Sequence, residues 1–160
     1  MKDKLSKNAQ RVQDALNEHG FEFKVQELPD STRSAQDAAK AIGCSVPQIA
    51  KSIIFRSSQS KNPVLAIVSG SNRADVKKIA SHLDEAIEIA NADYVKEHTG
   101  FPIGGVSPIG HKSSIQTFID EDLLEFNEIW AAAGTPHAVF KLESKTLPAL
   151  TNGIVIDLKE

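Results

Sequence analysis

Lys51-Ser52-Ile53-Ile54-Phe55-Arg56 and Val64-Leu65-Ala66-Ile67-Val68 are two apolar runs of strand length, separated by the polar residues 57–62. That spacing reads as a hairpin of two buried strands. Hairpin-linked neighbours pair antiparallel, so a regular parallel α/β sheet is disfavoured. Upstream, Leu5, Ala9, Val12 and Leu16 recur at helical spacing, and Gly20 stands where that helix would stop. Phe21, Phe23 and Val25 alternate with Glu22, Lys24 and Gln26 as in a half-buried strand, which Pro29-Asp30 breaks. Ser34-Ala35-Gln36-Asp37 resembles a capping box opening an alanine-rich helix that ends at Gly43.

Downstream, Ser69-Gly70-Ser71-Asn72 turns into a helix around residues 75–83, and Ile87 with Ile89 marks a short strand. Asn91 caps a helix that runs to His98 and stops at Gly100. Strands follow near 117–119, 129–132 and 139–142, then a helix near 144–150 and a strand at 154–156. Short strands interspersed with short helices predict an α/β fold of mixed α+β type. The expected architecture is a curled, barrel-like mixed sheet with helices packed outside, as one domain over residues 1–160.

Composition narrows the class. The 160 residues are 41% hydrophobic and 24% charged, as in a soluble globular protein. No apolar run approaches the ~18 residues of a membrane span. The start, Met1-Lys2-Asp3-Lys4-Leu5-Ser6-Lys7-Asn8, lacks the apolar core of a secretion signal, so a cytoplasmic location is expected and no membrane partner. The single cysteine, Cys44, excludes a disulfide framework and a multi-cysteine zinc site. Eighteen basic against 21 acidic residues give a net charge of −3, which argues against wholesale binding to a duplex. Arg33, Lys40, Lys51, Arg56, Arg73, Lys77 and Lys78 fall in the first half, either as scattered solvated charges or as an anion contact at a pocket rim.

Gly104-Gly105-Val106-Ser107-Pro108-Ile109-Gly110 holds three glycines and a proline in seven residues, which makes it a shaped loop. The N–H groups of Gly105, Val106 and Ser107 point either at a ligand carbonyl or developing oxyanion, or nowhere, in a plain surface turn. Lys51, at the mouth of its strand, either meets a phosphate or carbonyl or is a solvated edge lysine. Ser107 does not sit in a nucleophile elbow: Ile109 stands where that motif needs glycine, and Pro108 has no N–H. A loop hydroxyl that bonds substrate is the better reading. Gly134-Thr135-Pro136-His137 is a second tight turn, either a hairpin connection or the opposite wall of the same pocket. Cys44 reads as a small buried filler rather than a nucleophile. His19 and His98 suit helix ends, and the five histidines show no ligand spacing, so no metal or cofactor is expected. Asp120, Glu121 and Asp122 read as an exposed turn.

Ser34-Ala35-Gln36-Asp37-Ala38-Ala39, Lys51-Ser52-Ile53-Ile54-Phe55-Arg56 and Gly105-Val106-Ser107-Pro108-Ile109-Gly110 together resemble the YbaK/EbsC family. These are freestanding relatives of the editing domain of prolyl-tRNA synthetase, and the resemblance runs from about Phe21 to Asp157. It implies a trans-editing aminoacyl-tRNA deacylase, a carboxylic ester hydrolase acting on a small mischarged amino acid, with tRNA(Pro) as its carrier. The implied partners are the 3′ acceptor end of aminoacyl-tRNA and prolyl-tRNA synthetase. Lys51 would be the essential lysine, with Gly105, Val106 and Ser107 as the oxyanion loop. Ser52, Pro108, Gly110, Gly134, Thr135 and His137 would contact substrate. Members acting on cysteinyl-tRNA carry a basic, glycine-rich second loop, and Gly134-Thr135-Pro136-His137-Ala138 departs from that pattern. Bulk at Gly105, as in Gly105→Val, is expected to block substrate without loss of folding.

Overall fold

The computed structural model describes residues 5–29, 31–32 and 34–160. Residues 1–4, Asp30 of the strand break and Arg33 of the basic set lie outside the described residues. Helix α1 (Lys7–Glu18) buries Ala9, Val12 and Leu16 on one face and gives way to Gly20 at φ 80°. The strand expected at Phe21 instead begins at Val25, as β1 (Val25–Glu27). The Phe21 N–H is spent on the Leu16 carbonyl at 2.9 Å, which wraps the segment around the helix end. There Phe21 and Phe23 stack with ring centroids 5.9 Å apart and pack against the core without pairing to another strand.

Helix α2 (Ala35–Ile42) opens with the Asp37 N–H donating to Ser34 Oγ at 3.0 Å and closes at Gly43, φ 88°. A 3-10 turn, Val46–Gln48, leads into β2 (Ile49–Ser57), which pairs antiparallel with β3 (Pro63–Ser69) as the central hairpin. Then come α3 (Val76–Leu83), β4 (Ile87–Ile89) and α4 (Ala92–Thr99), the two helices capped by the side chains of Asp75 and Asn91. β5 (Gln116–Asp120), β6 (Glu128–Ala132), β7 (Ala138–Glu143), α5 (Leu147–Thr151) and β8 (Ile154–Ile156) complete the order.

The fold is α/β with one mixed sheet in the order β1-β7-β6-β2-β3-β5-β8, and β4 on β2. The β2/β6, β3/β5 and β5/β8 pairs are parallel, and the remainder antiparallel. β3 is central and buried on both faces, which is why it reads as a continuous apolar run. Its Leu65 and Ile67 pack with Val12 and Leu16 of α1, while Val64, Ala66 and Val68 pack with Ile79 of α3. Among the described residues no helix is long and apolar enough to cross a membrane.

One pairing detail positions the site. On the edge of β2 away from β3, Ile49 and Ala50 pair with Trp130 and Ala131 of β6. Farther along, Phe55, Arg56 and Ser57 pair with Ile89, Glu88 and Ile87 of β4. The ladder is therefore interrupted at Lys51, Ser52 and Ile53, between two partners that diverge.

Candidate active site

The interruption opens into a cavity of about 370 Å³. Lys51, Ser52 and Ile53 of β2, Ala131 and Ala132 of β6, Ala35 and Ala38 of α2 and its cap residue Ser34 line it. Ile103, Gly104 and Val106 of the glycine loop close it, with the exposed Ile103 at the rim. A lysine from β2 and a loop some fifty residues later thus share one cavity.

Lys51 is half-buried, and its Nζ lies 3.5 Å from the Gly70 carbonyl oxygen. Burial, followed by the like charge of Arg73, pushes the amine below the usual lysine value, while the opposite charge of Asp120 pulls it back. Ser52 Oγ is buried and has no hydrogen-bond partner among the described residues. A hydroxyl left in that state costs stability.

Asp120 corrects the expectation of an exposed turn at 120–122: it is wholly buried. It ends β5 beneath the turn at residues 69–72, where Oδ2 accepts from the Ser69 N–H at 3.0 Å and Asn72 Nδ2 at 2.8 Å. Only its place directly after the apolar Phe118-Ile119 hinted at this in the sequence.

The glycine loop departs in part from expectation. The Gly105 N–H donates to the Pro102 carbonyl at 3.0 Å, closing a turn, so it is not a donor toward a ligand. The Gly105 carbonyl accepts from the Gly134 N–H at 2.8 Å, and a β-carbon on Gly105 would meet Thr135 backbone atoms at 2.8 Å. Bulk there would strike the neighbouring turn, which overturns the expectation for Gly105→Val. Ser107 is fully buried and is not among the residues lining the cavity. Its Oγ accepts from the Ile109 N–H at 3.2 Å, and its carbonyl meets His111 Nε2 at 2.6 Å. The hydroxyl is thus engaged in holding the loop. Val106, of the three oxyanion candidates, lines the cavity.

Pro108 and Gly110 face elsewhere. With Arg11 and Ala15 of α1 they line a larger hollow of about 1230 Å³, which contains neither Lys51 nor Ser52. The smaller cavity is the candidate site because Lys51, Ser52 and the glycine loop all line it. Gly134, Thr135 and His137 line neither hollow. Their turn connects β6 to β7 and braces the site from behind: the Pro136 carbonyl accepts from Thr32 N–H and Oγ1 at 2.5 and 2.8 Å, and Thr32 lines the cavity. His137 is exposed, its N–H donating to Thr135 Oγ1 at 3.1 Å. Cys44 packs with Ala39 and Ile49 outside the cavity, and burial pushes its thiol up, away from nucleophile chemistry.

Residues 29–150 match the model of the aminoacyl-tRNA editing domain. The chain is 30% identical over 123 residues to the uncharacterized protein YwhH of Bacillus subtilis, covering 77% of this chain and 78% of that one. It is 27% identical over 149 residues to EbsC of Enterococcus faecalis, a candidate Cys-tRNA(Pro)/Cys-tRNA(Cys) deacylase, covering 91% and 88%. The crystal structure of a candidate trans-editing enzyme for prolyl tRNA synthetase superposes with a TM-score of 0.93 at 47% identity, covering 98% of this chain and 99% of that one.

Proposed function

The chain belongs to the aminoacyl-tRNA editing domain family, and from that premise we propose that it is a trans-editing aminoacyl-tRNA deacylase. Its substrate is the ester between tRNA, with tRNA(Pro) the leading carrier, and a small mischarged amino acid. The observation that carries this reading is the cavity at the interrupted β2 edge, lined together by Lys51, Ser52 and the glycine-loop residues Gly104 and Val106.

An aminoacyl ester is already activated, so holding it beside a water or ribose hydroxyl suffices for hydrolysis. The lining supports such a mechanism: it contains no cysteine or histidine, and its other hydroxyls are engaged, Thr32 with Pro136 and Ser34 as the cap of α2. Lys51 meets the ester carbonyl or the phosphate of the terminal nucleotide, Ser52 Oγ bonds the acyl group, and the Val106 N–H serves the oxyanion. Arg73, close enough to depress the Lys51 amine, adds a second cation for the RNA end. The small side chains of Ala35, Ala38, Ala131 and Ala132 give a narrow sieve that admits small acyl groups and rejects larger ones. Prolyl-tRNA synthetase is the proposed partner, on the strength of the solved relative's stated role, and the cytoplasm the site of action.

The test is a panel of aminoacyl-tRNAs beside free amino-acid esters, followed for ester loss, with Lys51→Ala as control. Loss from tRNA alone, abolished in the variant, is the expected result. Loss from both classes would make the protein a general esterase, and loss from neither a binding module.

A further inference from the structure

Asp120 is a fully buried carboxylate that the chemistry above leaves unused. Its burial is compensated by three donors: the Ser69 N–H at 3.0 Å, Asn72 Nδ2 at 2.8 Å and the Asp122 N–H at 2.9 Å. Two of these belong to one turn. The Asn72 N–H also donates to the Ser69 carbonyl at 2.9 Å, and Ser69 Oγ donates to the Pro47 carbonyl at 2.7 Å. Gly70 lies inside that turn, packed so closely that a β-carbon would stand 2.2 Å from the Val46 carbonyl oxygen. Its own carbonyl oxygen is the acceptor 3.5 Å from Lys51 Nζ. The chain of contacts runs from carboxylate to turn to lysine without a gap.

We propose that Asp120 is a positioning residue for deacylation: it clamps the turn at residues 69–72 so that the Gly70 carbonyl holds the Lys51 amine at the cavity wall. This rests on the deacylase reading of the same site. The charged groups facing the pair come from three directions. Arg73, after the turn, opposes the charged amine, while Asp120 favours it. Lys159, near the C-terminus, feels Asp120 too, but it is paired with Asp122 at 2.6 Å. Asp120 is therefore the carboxylate that acts on Lys51, and removing it takes away both the clamp and the favourable charge.

The experiment follows the Lys51 ε-methylene by carbon NMR in lysine-labelled protein, assigned by its loss in Lys51→Met, alongside steady-state deacylation across pH. Asp120→Asn is expected to move the Lys51 titration midpoint to lower pH. It should lower kcat about tenfold, the size of one well-placed hydrogen bond, with KM little changed. The alkaline limb of the pH–rate profile should move with the midpoint. A folded Asp120→Asn protein in which midpoint and kcat both stay at their wild-type values, or in which only one moves, overturns the proposal. Should that variant not fold, Asn72→Ala replaces it: it removes the side-chain bonds to Asp120 and Asp122 and leaves the carboxylate, so a smaller joint shift in the same direction is expected from the loosened clamp alone, and its absence is equally fatal. Should wild-type protein hydrolyse no aminoacyl-tRNA, the deacylase reading fails, and the midpoint alone then decides whether Asp120 holds Lys51.

Discussion

Gly105 and Thr135 are in backbone contact: a β-carbon added to the glycine would lie 2.8 Å from the Thr135 Cα. The glycine loop and the β6–β7 turn are thereby packed as one unit, tied by the hydrogen bond from Gly134 to Gly105. Gly105→Ala should therefore destabilise by about 1–3 kcal/mol through overpacking. Urea unfolding would show this as a lower midpoint at unchanged slope. Wild-type stability would mean that the turns separate freely.

Lys51→Met should reduce deacylation by about 10²-fold or more, as expected for loss of a charge stabiliser. Stability should move the other way. The native amine is depressed below its unfolded value of about 10.5. The unfolded chain thus binds more protons between the two values, and native stability rises with pH through that window. Below the folded value the native state bears the full cost of burying the charge. The variant should be more stable than wild type near neutral pH, with the gap closing as pH climbs toward the unfolded value. Thermal melts at a series of pH values would reveal a constant gap if the Lys51 amine were not depressed in the native state.

Ser52→Ala removes a buried hydroxyl with no partner among the described residues. Stability should be unchanged or raised by up to about 1 kcal/mol, because an unsatisfied group is deleted. Deacylation should nonetheless weaken, with a higher KM. A variant losing stability while keeping activity would assign the hydroxyl to the fold instead.

Arg73→Gln should raise KM for aminoacyl-tRNA and leave hydrolysis of any small ester untouched, since the side chain is exposed beside the cavity. For one lost phosphate contact on a single strand, the slope of log affinity against log salt should shrink by about 0.7. An unchanged salt slope would remove Arg73 from the RNA path.

Local signals carried most of the fold. Ser34 and Asn91 cap helices as their residue types suggest, and the β2–β3 hairpin follows its apolar runs. The strand proposed at Phe21 failed because alternation cannot register a helix end drawing the chain back on itself. At the site, the meeting of Lys51 and the glycine loop was legible from their chemistry. The use made of each glycine was not: Gly105 serves turn-to-turn approach, and Pro108 with Gly110 line a different hollow. Asp120 was hidden for a similar reason, since its burial depends on β5 running parallel to β3 beneath a turn remote in sequence.

Because the pocket arises where β2 exchanges one neighbour for another, its existence depends on main-chain pairing and hardly on what lines it. On the proposed function, replacing the alanines on its walls would change which acyl group fits while leaving the sheet intact. The scaffold resembles a lock whose tumblers can be recut without rebuilding the door.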